Sequence, residues 1–424
     1  MVAATSIGGE RTCAAAGASN LGNHAAISEH CRFQLGCITK LLTSLVALKL
    51  TETGALDFET SIATYLPELN RCERPSPILV RHLASHTSGY QGVNLADPAC
   101  AYYYSWQKFL AYMDTTPHTF APGAVFNYEH TEAVLLGEIV RRISGQSADE
   151  LARQLILAPL GISAGSLNSS RGAAGVNVAD HGFDASAAGY KILRTIPYGA
   201  FWQASLSDLT ISVADLLTLG EALIGAHRTD FFSSRLLTAL RTMQIGLPAV
   251  WTGPKREIIP IAFGPGCAEY QRGLLGHNGS GRGQTCGFRF APDRGAVIVV
   301  ALNAWEPHIR DMVIQRIFQA ICGREGASQA PCEPTPFDAA FLGRYTGAVS
   351  ATQVDVGLED GLIIWELRVQ HPHTLLRLAG KEERGRIVLQ PPAHHLAVGF
   401  FREPATGTPC LQLGLNAYKQ VRRN

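Results

Sequence analysis

Phe33 to Leu50 reads FQLGCITKLLTSLVALKL. From Cys37 the apolar positions Leu41, Leu42, Leu45, Val46 and Leu48 fall at helical spacing, and Gly54 ends the run. The helix therefore opens on a thiol, with Lys40 one turn later on the same side. A helix N-terminus favours negative charge, as does a nearby ammonium, and the thiolate is the attacking form of cysteine. Spacing alone favours an ordinary buried cysteine beside a lysine whose stem runs along the helix.

Composition narrows the classes of function. The chain has 424 residues, 46% hydrophobic and 17% charged, enough for two or three packed domains. Thirty-six basic residues stand against 35 acidic ones, and a net charge of +1 offers no field for nucleic acid or an anionic membrane. No window approaches ~18 uninterrupted apolar residues, so no membrane span is expected. The opening MVAATSIGGERTC lacks the basic start and apolar run of a secretory leader, and the expected location is the cytoplasm. The ten cysteines include no Cys-x-x-Cys pair, which argues against zinc and against a redox dithiol. Most are expected as free, buried thiols. His371, His373, His394 and His395 have no further ligand placed beside them, so no metal is expected, and no organic cofactor either.

Along the chain, MVAATSIGGERTCAAAG reads as two small-residue strands about a Gly8-Gly9 turn. ILVRHLASHTSGY gives a short helix ending in the polar turn His86-Thr87-Ser88-Gly89. YEHTEAVLLGEIVRRISGQSADELARQLILAPLGI reads as two helices split at Gly145, closing on Pro159-Leu160-Gly161. Residues 163 to 205 are rich in Gly, Ala, Ser and Asn, a long loop of the kind usually functional or mobile. Ser212 and Asp215 form an N-cap pair. GQTCGFRFAPDRGAVIVVALN is a hairpin about Pro292-Asp293-Arg294-Gly295, and HIRDMVIQRIFQAIC an amphipathic helix with Ile309, Met312, Val313 and Ile317 on one face. The expected domains are residues 1–322, a linker over 323–336, GREGASQAPCEPTP, and a set of short strands over 337–424 spaced as in a small barrel.

FQLGCITKLLTSLVALKL, ILVRHLASHTSG, APGAVFNYEHTEAVLLGEIVRRISG, LAPLGI and GHNGSGRGQTCGFRFAPDRGAVIVVALN together resemble, in order, the serine β-lactamase and penicillin-binding-protein superfamily, especially its class C-like esterase branch. The motif there is Ser-x-x-Lys, with serine where Cys37 stands. The resemblance covers most of residues 1 to about 322, and the segment after Pro336 is similar to the lipocalin-like domain that often trails these hydrolases. It implies an α/β (α+β) fold, with an antiparallel sheet flanked by helices and a second, mostly helical lobe. It also implies that the N-terminal hairpin pairs with the strands after His277, that the site lies in a cleft, and that a small lipocalin-like β-barrel follows.

Carried over residue by residue, the resemblance implies Cys37 as nucleophile and Lys40 as the group that helps to deprotonate it. Tyr128, in NYEH, stands at the tyrosine of Tyr-x-Asn, which relays protons between nucleophile, leaving group and acceptor. His130 replaces that motif's asparagine, and its role stays open. His277-Asn278-Gly279 stands at the Lys-Thr-Gly position, in the His-x-Gly form of esterases and D-aminopeptidases. The backbone N–H groups of Cys37 and Ser280 would form the oxyanion hole. Asn278, Gly279 and Arg282 would border the substrate, and Tyr104 and Trp106 would line an acyl or aryl pocket. Core packing accounts for those aromatics equally well, and Tyr128, His130 and His277 each fit as packed or capping residues too. His82 and His86 read as scaffold.

A serine nucleophile gives an oxygen ester; Cys37 gives a thioester. Thiols attack thioesters readily, amides are harder for them, and a thioester favours amine over water as acceptor more than an oxygen ester does. The expectation moves from β-lactam hydrolysis toward acyl transfer, from a thioester or ester donor (coenzyme A or a carrier protein among them) to an amine or hydroxyl. An esterase or amidase with water as acceptor, a non-catalytic binding protein, and a chain whose cysteine was introduced in place of serine all stay open.

Overall fold

The structure, a computed structural model, describes residues 1–71, 77–90, 105–115, 118–166, 181–184, 189–192, 207–226, 231–248, 251–252, 260–271, 273–281, 283–322, 338–347, 352–360, 362–369, 374–383, 386–389, 397–413 and 416–421. The expected linker and most of the expected long loop lie outside them. The chain forms two compact units: Met1–Leu56, Leu136–Met243 and Gly264–Gln329 in one, Asp57–Leu135, Gln244–Phe263 and Ala330–Asn424 in the other.

In the first unit, Val2–Ile7 and Glu10–Ala15 pair about Gly8 and Gly9 at φ +58° and +89°. A tight hairpin of this twist needs both central residues left-handed, hence the two glycines. The strands of the sheet that lie in this unit run Ala268–Gln271, Leu274–Gly281, Gln284–Ala291, Ala296–Leu302, Val2–Ile7, Glu10–Ala15, antiparallel at each ladder. The N-terminal hairpin thus joins the strands after His277, as the resemblance implied. Gln284–Ala291 and Ala296–Leu302 are buried along their whole lengths because helices cover both faces. On one face Gly220 of the helix Val213–Ile224 lies against Val297 and Phe288; on the other Gly287 lies against Ile314 and Arg310 of the helix Pro307–Cys322. Ser212 caps the first of these helices, its Oγ accepting from the Asp215 N–H at 3.0 Å.

The second covering helix differs from the periodicity reading. Ile309, Val313 and Ile317 pack partly, but Met312 is 53% exposed, and Arg310, Asp311, Ile314 and Phe318 are buried. The helix is turned so that a mutually neutralising Arg–Asp pair enters the core, which an apolar count assigns to the surface.

Ile38–Glu52 is buried from Ile38 through Leu48, with Thr39, Lys40, Thr43 and Ser44 buried among its apolar side chains. Gly54 ends it at φ +73°. Thr131–Ser144 and Ala148–Ala152 are separated at Gly145, φ +74°, and the second opens on a Ser147/Glu150 capping box.

The second unit carries a nine-stranded antiparallel sheet that curls into a half-barrel. Its order is Trp251–Thr252, Ala397–Arg402, Pro409–Leu413, Asn416–Val421, Gly343–Gly347, Thr352–Glu359, Leu362–Val369, Thr374–Glu383, Arg386–Leu389. The curl brings Trp251–Thr252 close to Arg386–Leu389 as well as to its ladder partner. Trp365, Phe400, Phe341 and Tyr345 fill the concave side, with Trp365 stacked on Phe400 at 6.5 Å. Sequence alone did not anticipate that residues 251–252 join this sheet.

Candidate active site

Cys37 occupies the N-cap of the helix Ile38–Glu52, with φ −68° and ψ −10° and its side chain not engaged in capping. It is half-buried. The turn that delivers it is Gly36, at φ +53°. A Cβ there would come within 2.5 Å of the Ser280 carbonyl oxygen and 2.6 Å of its nitrogen, so glycine is required both by conformation and by space. Gly279 likewise has its Cα hard against the Leu35 carbonyl. These contacts bring the backbone of Ser280 beside the turn into Cys37. First-turn N–H groups of a helix lack intrahelical acceptors, and Cys37 stands among them. Lys40 is buried, its N–H donating to the Cys37 carbonyl at 3.0 Å. Gly266 passes so close that a Cβ would meet the Lys40 carbonyl at 2.8 Å and the Ser44 side chain.

His277 is buried, its Nδ1 2.5 Å from the Asn278 carbonyl oxygen. Strand alternation turns Asn278 to the opposite face, where its Oδ1 accepts from Arg289 Nη2 at 2.7 Å. Arg289 Nη1 also donates to the His277 carbonyl at 3.1 Å, and its guanidinium lies 3.5 Å over the Tyr270 ring. Behind it, Arg310 pairs with Asp311 at 2.8 and 3.0 Å and donates to Thr285 Oγ1 at 2.8 Å. The His-Asn-Gly strand is thus held from behind by a buried charged cluster. An arginine alternating with phenylalanines in GFRFA was the one sequence signal for it.

Tyr128, in the second unit, lies half-buried just before the helix Thr131–Ser144. The His86 ring sits 4.5 Å from the Tyr128 ring, and His130 and Phe263 lie at 6.4 Å each. His86 has φ +56°, a conformation non-glycine residues seldom adopt. Its Nδ1 is 2.6 Å from Glu132 Oε2, while Glu132 Oε1 accepts from the Ser88 N–H at 2.9 Å and the Ser88 hydroxyl at 2.6 Å. Glu129 caps the helix, accepting from the N–H groups of Thr131 at 2.6 Å and Glu132 at 3.0 Å. Burial, with Glu132 nearby, pushes its carboxyl up to about 8. His86 and Glu132 went unassigned at the sequence level, since a His-Thr-Ser-Gly turn reads as scaffold.

Trp106 donates from its indole to Glu68 Oε1 at 2.7 Å and stacks on Phe109 at 5.7 Å. Tyr104 and Arg282 lie outside the described residues, as do His371, His373, His394 and His395. Among the described residues no three His, Cys, Asp or Glu side chains converge as a metal site, and no helix is long and apolar enough to cross a membrane.

The Beta-lactamase family matches residues 1–320. The chain belongs to the β-lactamase family. Among β-lactamase-like relatives, Penicillin-binding protein 4 of Amycolatopsis lactamdurans is 24% identical over 353 residues, 77% of this chain and 87% of that one. Monacolin J acid methylbutanoyltransferase of Aspergillus terreus is 30% identical over 150 residues, 30% of this chain and 36% of that protein. The solved structure of SurE superposes with a TM-score of 0.76 at 21% identity, covering 99% of this chain and 94% of that one. That likeness shows the fold through the C-terminal sheet as well as the β-lactamase region. Family and relatives together support an enzyme of acyl-transferring or hydrolytic chemistry.

Among the described cysteines, burial pushes Cys267, Cys286 and Cys410 up to about 12, so these thiols are poor nucleophiles. Cys13 is exposed and its thiol is pushed up as well.

Proposed function

We propose that this β-lactamase-family chain is an acyl-transfer enzyme that carries its acyl group as a thioester on Cys37. The observation that carries the reading is the thiol on the N-cap of a buried helix, delivered by a left-handed Gly36 whose Cα abuts the Ser280 backbone. Cys37 Sγ gives its proton to Lys40 and attacks the carbonyl carbon of a thioester or ester donor. A C–S bond forms, the oxyanion is met by the N–H groups of Cys37 and Ser280, and collapse expels a thiol or alcohol that takes up the proton. An amine or hydroxyl acceptor then attacks the thioester carbonyl. The C–S bond breaks, the acceptor's proton returns through Tyr128, and the thiol is restored.

In this reading His277 borders the reacting groups, Arg289 holds it from behind, and His130 lines the approach to Tyr128. The donor in this reading is an ester or a small-molecule, coenzyme A or carrier-protein thioester, a substrate class that fits a cytoplasmic enzyme. A transferase among the relatives, whose name states methylbutanoyl transfer, supports acyl movement as a chemistry this family carries out. The test is product analysis with a panel of acyl thioesters and activated esters, with and without amines, for the natural chain and Cys37→Ala. Cys37-dependent amide or ester products are expected. Free acid as the sole product at every amine concentration would make water the acceptor and overturn the transfer reading.

A further inference from the structure

Residues 119–130 carry no helix or strand, so their backbone polar groups depend on tertiary partners. Around Tyr128 those partners come from two places. The Asn127 N–H donates to the His86 carbonyl at 2.9 Å, and Asn127 Nδ2 to the Tyr90 carbonyl at 3.3 Å. The others come from the C-terminal hairpin formed by Pro409–Leu413 and Asn416–Val421. Asn416 Nδ2 donates to the Tyr128 carbonyl at 2.7 Å, across a separation of 288 residues, and the Ala417 N–H donates to Asn127 Oδ1 at 3.2 Å. Cys410 and Ala417 are buried against Phe120 and Val125, an apolar contact beside the buried Ala417–Asn127 hydrogen bond and the half-buried Asn416–Tyr128 one.

Asn127 is thus clamped from both sides, and the peptide of Tyr128 is held by a side chain from the far end of the chain. A tyrosine in irregular backbone has no helix or strand to aim its phenol. Its direction follows from where its own peptide is pinned and from the rings of His86, His130 and Phe263 around it.

We infer that the C-terminal sheet is a working part of the reaction, with Asn416 as the positioning residue that aims Tyr128. The inference rests on reading Tyr128 as the proton relay. A proton relay must sit within hydrogen-bond reach of the reacting atoms, and a displacement of ~1 Å costs rate far more than it costs stability. Asn416 touches no reacting atom and acts only through the Tyr128 main chain.

The test uses the full chain with Asn416→Asp, which keeps the size but replaces the amide donor by an acceptor, with Asn416→Ala, and with Asn416→Gln, which keeps the donor. Three quantities are read: kcat and KM with a donor that the natural chain turns over, Tm, and amide hydrogen exchange in the peptide spanning 119–131. The expected result is a fall in kcat of about tenfold for Asp and Ala with KM unchanged. Exchange in that peptide should quicken, Tm should stay close to that of the natural chain, and Asn416→Gln should recover part of the rate. Unchanged exchange would overturn the inference, and so would quickened exchange with unchanged kcat. Should the natural chain turn over no donor, the acyl-transfer reading fails, while the exchange data still decide whether the sheet holds the Tyr128 segment.

Discussion

Arg289 and Arg310 share one carboxylate, Asp311, in the interior behind His277; Asp311 lies 2.8 Å from Arg310 and 3.9 Å from Arg289. Removing one partner of a buried ion cluster leaves an uncompensated charge, a far larger penalty than losing a surface pair. Asp311→Asn is therefore expected to cost about 3–5 kcal/mol, read as a drop in the urea midpoint at unchanged slope. Glu129 makes a different prediction. Its folded-state value of about 8 stands above the ordinary 4.5 because burial, then Glu132, disfavours its charge. Between pH 4.5 and about 8 the folded chain keeps a proton that the unfolded chain has released, so stability falls as pH rises through that window. Glu129→Gln, which retains an acceptor for one of the two amides, should flatten the fall in Tm from pH 5 to 8.5. An equally steep fall in the variant would assign the pH dependence elsewhere. Beyond the arginine in GFRFA, neither cluster was legible beforehand. Glu129 and Glu132 read as the acidic start of a helix, and Glu132's second task appears only when His86 and Ser88, 46 and 44 residues away, reach it.

At the scale of elements, the helix Ile38–Glu52 and the strand Leu274–Gly281 meet through glycines, and this meeting builds the surroundings of Cys37. Gly36→Ala forces a left-handed residue to carry a Cβ that collides with the Ser280 backbone. The proposed acyl transfer predicts that the variant loses Cys37 acylation by at least about tenfold, its thiol misplaced by its own turn. Measured acylation at the natural rate, with the fold intact by circular dichroism, would contradict that account. Much at this scale was readable from pattern: the Gly8-Gly9 hairpin, the helix from Cys37, the break at Gly145 and the hairpin about Pro292–Gly295 all rest on local turn chemistry or unbroken periodicity. What was not readable depends on distant partners. The helix Pro307–Cys322 turns Met312 outward because Arg310 and Asp311 satisfy each other inside. Trp251–Thr252 is too short to show alternation, so its pairing with Ala397–Arg402 could not be seen.

At the scale of the molecule, neither compact unit is a continuous stretch of chain. Cys37, Lys40 and His277 belong to the unit that includes Met1–Leu56, whereas Tyr128 and His130 share a unit with the C-terminal sheet. A chain ending at Cys322 therefore lacks the partners of the Tyr128 segment and of Trp251–Thr252. Its Tm is expected to fall by roughly 5 °C or more, with faster exchange over 119–131. A truncated chain as stable and as active as the whole would show the sheet to be dispensable. The central claim concerns the thiol itself, and intact-protein mass after brief mixing with acyl thioesters tests it most directly. Because Cys13 is exposed, Cys37→Ala must run alongside. The account predicts an added acyl mass in the natural chain, absent from Cys37→Ala, that amines discharge faster than water does. An adduct of equal yield in Cys37→Ala, or none with any donor while Cys37→Ser turns substrate over, would contradict it.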